Sequence, residues 1–274
     1  MERIAEPKLQ RKKLQGIRNI IRFNWHFYVM ALLAIFVLCV LQAFTKTILL
    51  VYLYHLLAFF VFVNTFMSLA VSLYVYDLSN LYSLNWLDDV LLENLPKNAK
   101  LVNIHAGFDE TSSLLAQKYN EANLQVFDFY DQQKHTEISI ERARKAYPPY
   151  PNTQKITTQD IPLPNNSIDY IFLLFAAHEI RNDEERNIFF SILANKLTEN
   201  GKLIVVEHLR DIPNFLAYTI GFLHFFPKKL WFTTFQQANL QILQEQKITP
   251  FVSVFTLSKI NNYFPNKNLK KKYI

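Results

Sequence analysis

IPLPNNSIDYIFLLFAAHEIRNDEERNIFFSILANKLTENGKLIVVEHLRD, residues 161–211, reads as strand, loop, amphipathic helix, glycine stop and second strand. Residues 168–175 (IDYIFLLF) are almost continuously apolar, as in a strand buried on both faces of a parallel sheet. His178 and Glu179 follow at its carboxyl end, where open α/β sheets place their ligands. Beyond them, Ile188, Phe189, Ile192, Leu193 and Leu197 recur at helical spacing. Asn182 or Asp183 can cap that helix, and the acids at 183–185 suit the positive end of its dipole. Asn200-Gly201 reads as its stop. Residues 203–206 form a second buried strand that also ends in polar groups, Glu207 and His208. A βαβ unit of this kind places the chain in the α/β class.

On the amino side, residues 101–104 (LVNI) read as the first strand, followed by the turn HAGFDETS and a helix over 112–120. Residues 124–129 (LQVFDF) read as the second strand, with Asp128 near its end. Thr136 can cap a helix running to Ala146, with His135 just before the cap. Residues 156–162 read as the third strand and its exit loop. On the carboxyl side, residues 212–235 are strongly apolar and read as helices covering the sheet. Part of that stretch, 214–232 with Lys228-Lys229, would also suit a membrane interface, and Pro227 argues against spanning. Residues 240–248 and 251–258 alternate as two closing strands.

The order of these elements carries a resemblance. LPNNSIDYIFLLFAAHEI followed by LTENGKLIVVEH resembles the LPFxDxSFDxVxxxxALHH…LKPGGxLxxxE pattern of class I S-adenosylmethionine-dependent methyltransferases, in the group containing the quinone C-methyltransferases. It spans roughly residues 100–258. It implies a Rossmann-like domain with a mostly parallel seven-stranded sheet, and S-adenosylmethionine as cofactor. The family's first strand and loop have the form (V/L)xDxGxGxG, whose glycines let the backbone approach the cofactor. The matching positions are Asn103, His105, Gly107 and Asp109, of which only Gly107 keeps the family residue. Asp109 or Glu110 is a candidate replacement for the lost carboxylate. Asp128 matches the acid that holds the ribose hydroxyls, by the logic of dinucleotide folds. The family often has an acid shortly before the Leu-Pro pair, against the adenine amine, and Asp160 stands nearby.

Methyl transfer from a sulfonium is a displacement, so the protein mainly aligns the acceptor and excludes water; a base is needed only if the acceptor loses a proton. The polar residues at the two strand ends are the candidates: His178 first, as base or acceptor-positioning group, with Glu179 and His208 beside it. His178-Glu179 and Glu207-His208 lack the spaced histidines of a metalloprotease, and no third ligand is evident, so no metal site is expected. No Gly-x-Ser-x-Gly elbow or Walker loop occurs.

Half of the 274 residues are hydrophobic and only four are glycine. The single cysteine, Cys39, lies in an apolar run, which fits a reducing compartment. The net charge of +6 belongs to the two ends. Residues 1–24 carry seven Lys/Arg against two acids and residues 259–274 carry five lysines and no acid, leaving 17 bases and 21 acids between them. That distribution argues against a nucleic-acid partner and favours an anionic membrane surface.

Residues 25–43 and 48–76 contain no charge, and each exceeds the roughly 18 residues that mark a transmembrane candidate. Thr45-Lys46-Thr47 is the only polar stretch near their junction, so a tight helical hairpin is expected. The organisation expected is a basic segment (1–24), a membrane hairpin (25–76), a connector (77–98), a methyltransferase-like domain (99–260) and a basic tail (261–274). The positive lead-in predicts a cytoplasmic N-terminus, a multi-pass position in the inner (cytoplasmic) membrane and a cytoplasmic catalytic-type domain. Two readings of function follow: a membrane-anchored S-adenosylmethionine-dependent methyltransferase acting on a small lipophilic or membrane-delivered acceptor, or a non-catalytic methyltransferase-like membrane scaffold whose cofactor loop has degenerated.

Overall fold

The structure is a computed structural model, which describes residues 11–91, 95–134 and 137–260. The basic residues before 11, the cap at Thr136 with His135, and the tail 261–274 lie outside the described residues.

Seven strands form one sheet: β1 (Lys100–His105), β2 (Asn123–Asp128), β3 (Gln154–Lys155), β4 (Ile168–Leu174), β5 (Leu197–His208), β6 (Leu240–Thr249) and β7 (Val252–Lys259). Their order is β3-β2-β1-β4-β5-β7-β6. All neighbours pair parallel except β7, which runs antiparallel to both β5 and β6. The chain therefore has the expected Rossmann-like α/β fold, with the chain direction reversing outward from the β1–β4 pair. A crevice at the carboxyl ends of those two strands is where such sheets hold ligands.

The strands are apolar on both faces because both are covered. Ile168, Ile171 and Leu173 of β4 face a core with Phe189, Phe190, Trp231 and Phe235, supplied by α7 (Asp183–Lys196) and α9 (Lys228–Gln237). Tyr170 and Phe172 face the other core, built from α4 (Trp86–Leu91) and from Val71 and Val75. Asn182 caps α7 by accepting the Glu185 N–H at 2.9 Å, as the sequence suggests. Trp231 is fully buried and stacks on Phe235 at 5.9 Å, with Phe190 and Phe226 edge-on. Trp231→Ala should cost about 3–5 kcal/mol. Chemical denaturation in detergent checks this.

Two expectations are corrected. Helix α7 stops at Lys196 and β5 begins at once, so Asn200-Gly201 lies inside the strand rather than ending the helix. A Cβ on Gly201 would sit 2.8 Å from the Ile168 carbonyl, so glycine here permits the close approach of β4 and β5 at their register shift. The third strand is only Gln154–Lys155, and residues 156–162 continue as loop. Its pairing reaches just Phe127 and Asp128, so an edge of two residues is all that β2 templates.

Ahead of the sheet lie α1 (Gln15–Phe23), α2 (Trp25–Phe44) and α3 (Ile48–Leu73), the last prolonged by a π-helical turn, Tyr74–Leu78. Helices α2 and α3 are long and apolar enough to cross a membrane. Their most apolar windows are 0% and 11% buried, so they are not core helices of this domain. Only the foot of α3 and the π turn are buried: Val71 and Val75 pack on Leu101, Phe172 and Ile204 of the sheet. Asp77 of the π turn accepts the N–H groups of Gly16 and Ile17 at 2.9 and 2.7 Å, capping α1. Asn19 accepts from Tyr147 at 2.8 Å and Arg142 donates to the Phe23 carbonyl at 2.6 Å. Residues 11–23 are thus folded onto the domain, and Arg11 pairs with Glu110 at 3.0 Å.

Candidate functional site

At the end of β4 the chain makes an abrupt turn. Phe175 has φ +51°, a left-handed conformation that costs a bulky residue on the order of 1 kcal/mol and tends to mark functional sites. Its N–H donates to the Val206 carbonyl at 2.8 Å, and a 3₁₀ turn, Ala177–Glu179, follows. Buried Arg186 of α7 holds this turn by donating to the Ile180 carbonyl at 2.9 Å while lying over Phe226.

The turn brings His178 and Glu179 to the end of β5. His178 Nδ1 lies 2.7 Å from Glu207 Oε2 and Nε2 lies 3.2 Å from Glu179 Oε1, while the His178 backbone N–H donates to Glu207 Oε1 at 3.2 Å. His224 joins from another 3₁₀ turn, Thr219–His224, its ring 4.9 Å from that of His178. Burial alone would lower the His178 pKa, but the Glu207 charge and the hydrogen bonds to Glu179 and Glu207 hold it well above the ordinary histidine range. Burial would raise Glu179, yet its bonds with His178 and His224 hold its carboxyl well below the usual range. His178 is therefore tied through both nitrogens by carboxylates that favour its charged form. A free general base is not what the geometry provides; a positioning group is.

His178 lines a cavity of about 220 Å³ walled largely by Phe23, Tyr76, Tyr82, Phe108 and Phe175. Glu179 lines a second of about 120 Å³ that shares Tyr82, Phe108, Glu110, Ile140 and Phe175 with the first. The one carboxylate common to both, Glu110, accepts from Arg11, Gln15, Asn19 and the Tyr82 hydroxyl, the last at 2.8 Å. It binds α1 over the cavities.

His208, grouped with the catalytic candidates by sequence, does another job. It is buried beneath Phe175 and Phe225, with Nε2 2.8 Å from the Tyr76 hydroxyl and Nδ1 2.9 Å from the Phe251 carbonyl. It joins the foot of α3 to the sheet. Burial lowers its pKa to about 4. A histidine depressed in the fold is neutral there and charges more readily when unfolded. Its contribution is complete above the unfolded value of about 6.5 and is lost as pH falls toward 4, up to about 3 kcal/mol. His208→Gln should flatten that acid limb in denaturation curves measured across the window.

The cofactor candidates divide. Gly107 (φ +92°) and Asp128 sit together at the ends of β1 and β2, as the resemblance implies. Asp128 Oδ2 accepts from Arg144 at 2.6 Å and Oδ1 from the Tyr130 N–H at 2.9 Å. Arg144 comes from α6 (Ile138–Ala146) and lies over the Tyr130 ring. A Cβ on Gly107 would meet Tyr130 at 2.9 Å and Arg144 at 3.0 Å. Neither Gly107 nor Asp128 lines the two cavities above.

Asn103 is turned away, donating to the Thr111 and Ser112 hydroxyls at 3.1 and 2.7 Å, and fixes the start of α5 (Ser112–Lys118). Asp109 Oδ1 accepts the N–H groups of Thr111 and Ser112, both at 2.9 Å, so it is a turn former rather than a replacement carboxylate. His105 accepts the Gly107 N–H at 3.1 Å and stands 3.7 Å from Asp128. Asp160 is exposed, its N–H bonded to Thr157 at 3.0 Å. His224 and Arg144 were not legible as site residues: one sits in an aromatic run, the other in a helix of ordinary amphipathic charge.

No family model matches the chain, and none of the curated proteins does. Among solved structures it is similar to a SAM-dependent methyltransferase from Aquifex aeolicus, at 14% identity over 62% of this chain and 87% of that one, TM-score 0.43. It is also similar to one from Methanosarcina mazei, at 13% over 63% and 98%, TM-score 0.47. A third, from Clostridium acetobutylicum, shares 11% over 64% and 89%, TM-score 0.46. Likenesses this distant say nothing about activity.

Proposed function

We propose that this chain is a membrane-anchored, S-adenosylmethionine-dependent methyltransferase acting on the ring of a small lipophilic acceptor. The observation that carries this reading is the 220 Å³ aromatic cavity, whose walls come from α1, the π turn at the foot of α3 and the end of β4. An apolar cavity of about 150 Å³ suffices for benzene, so one substituted ring fits. The hairpin then delivers acceptors dissolved in the bilayer. Exposed Ile212, Leu216 and Ile220, on α8 (Ile212–Tyr218) and the turn after it, support a position against the lipid interface, since α8 packs on α3. The seven Lys/Arg in residues 1–24 support a cytoplasmic domain on the inner membrane.

The donor set suits an adenosyl group in kind. Asp128 is a buried carboxylate at the strand end where a ribose diol binds, and Gly107 is the residue that allows close backbone approach. The Arg144 guanidinium that covers them is the far end of a flexible side chain, 28% exposed. When bound, S-adenosylmethionine supplies an electrophilic methyl group. The chain's own part is to seat the acceptor ring among Phe23, Tyr82 and Phe175, to orient its polar substituent toward His178, and to keep water out beneath α1. Full-length protein in detergent, given methyl-labelled S-adenosylmethionine and a total lipid extract, should move label into the organic phase; no transfer to any lipid fraction counts against the reading.

The Arg144–Asp128 pair and the missing glycines favour the scaffold reading. Under it, cofactor affinity should appear only after glycine is restored at His105 and Asp109 and Arg144 is removed.

A further inference from the structure

Beyond methyl transfer, the geometry points to a site for a first-row divalent transition metal, Zn²⁺ foremost, formed by His178 Nε2, Glu179 Oε1 and His224 Nε2. These three ligand atoms lie within 4.8 Å of one another, Glu179 Oε1 being 3.2 Å from His178 and 3.8 Å from His224. A tetrahedral site with bonds of about 2.0–2.1 Å needs neighbouring ligand atoms about 3.4 Å apart. A small rotation of His224, the most exposed of the three, closes the set.

The stronger evidence is behind the ligands. Each histidine presents Nε2 to the shared carboxylate and has Nδ1 held by a different one: Glu207 at 2.7 Å for His178, Glu137 at 3.1 Å for His224. Carboxylate–histidine pairs of this form fix the tautomer and the ring direction of metal-binding histidines. Arg181 then ties the two ligand-bearing turns together, donating to the His178 and His224 carbonyls at 3.2 and 2.7 Å. Metal binding displaces the proton that His178 Nε2 shares with Glu179; with both imidazoles then neutral, three carboxylates and one guanidinium leave a charge of −2, which a dication cancels. Two imidazoles and one carboxylate are ligands suited to zinc or ferrous iron rather than magnesium or calcium. A set of three protein ligands is also the count that leaves room for water or a substrate oxygen. Glu179 and His178 line the two adjoining cavities, so such an oxygen would belong to whatever fills them.

The sequence hid this site because its third ligand lies far along the chain and its supporting acids come from β5 and the start of α6. The test uses tag-free, full-length protein in detergent, stripped with chelator and titrated with Co²⁺ and then Zn²⁺. We expect one ion per chain, the intense visible spectrum of low-coordinate cobalt, and displacement by zinc. His224→Ala and Glu179→Gln should each weaken binding at least about 100-fold, and Glu207→Gln and Glu137→Gln about 10–100-fold. His224 is partly exposed on a turn, so that variant folds even if the others do not; circular dichroism checks it. Uptake of ferrous iron with the same sensitivity to His224→Ala supports the site. No uptake by the native chain, or uptake that His224→Ala leaves unchanged, overturns it.

Discussion

Glu207→Ala should destabilise the folded chain by about 3–5 kcal/mol. The carboxylate is buried, with its side chain 1% exposed, and it accepts from both the ring and the backbone N–H of His178. Removing it strands a buried imidazole whose charged form Glu207 supports, and unties the turn that ends β4. Breaking one half of a buried pair costs far more than replacing both halves, because the remaining group stays desolvated. The double variant Glu207→Leu with His178→Phe should therefore lose less than the two single changes added together. Chemical denaturation in detergent reads all four proteins. Additive losses would show that the pair is not coupled.

The second large effect concerns Arg144 and Asp128. Arg144→Ala should tighten S-adenosylmethionine binding about tenfold, the equivalent of one charge-assisted hydrogen bond no longer displaced. Asp128→Ala should weaken it about 100-fold or more, since two bonds between a carboxylate and a diol are lost. Opposite signs from two partners in one ion pair separate a cofactor site covered by its own side chain from a purely structural bridge. A bridge of the latter kind gives losses, or nothing, at both positions.

Much of the fold was legible because its signals are local. The apolar run of β4, the Asn182 cap and the strands β6 and β7 each sit within a dozen residues and each appears where read, although β7 is buried on both faces rather than alternating. Gly201 was misread because a glycine after a helical pattern ordinarily ends a helix; here the neighbouring Ile168 carbonyl demands it, a requirement visible only across strands. The edge strand β3 was misplaced because residues 156–162 find no strand to pair with once β2 has ended at Asp128.

The site was half legible for the same reason. Strand ends announce polar residues, so His178 and Glu179 follow β4 and Asp128 ends β2, the positions their sequence context suggests. What each does depends on neighbours from distant elements. Phe225 and Tyr76 turn His208 into a buried clamp, Thr111 and Ser112 draw Asn103 away, and Arg144 covers Asp128.

The most direct measurement is a calorimetric titration of the full-length protein, in detergent or bilayer discs, with S-adenosylmethionine. The account predicts saturable binding at one site per chain, competed by S-adenosylhomocysteine and strengthened in Arg144→Ala. No heat from either the native chain or Arg144→Ala, both shown folded, would contradict it.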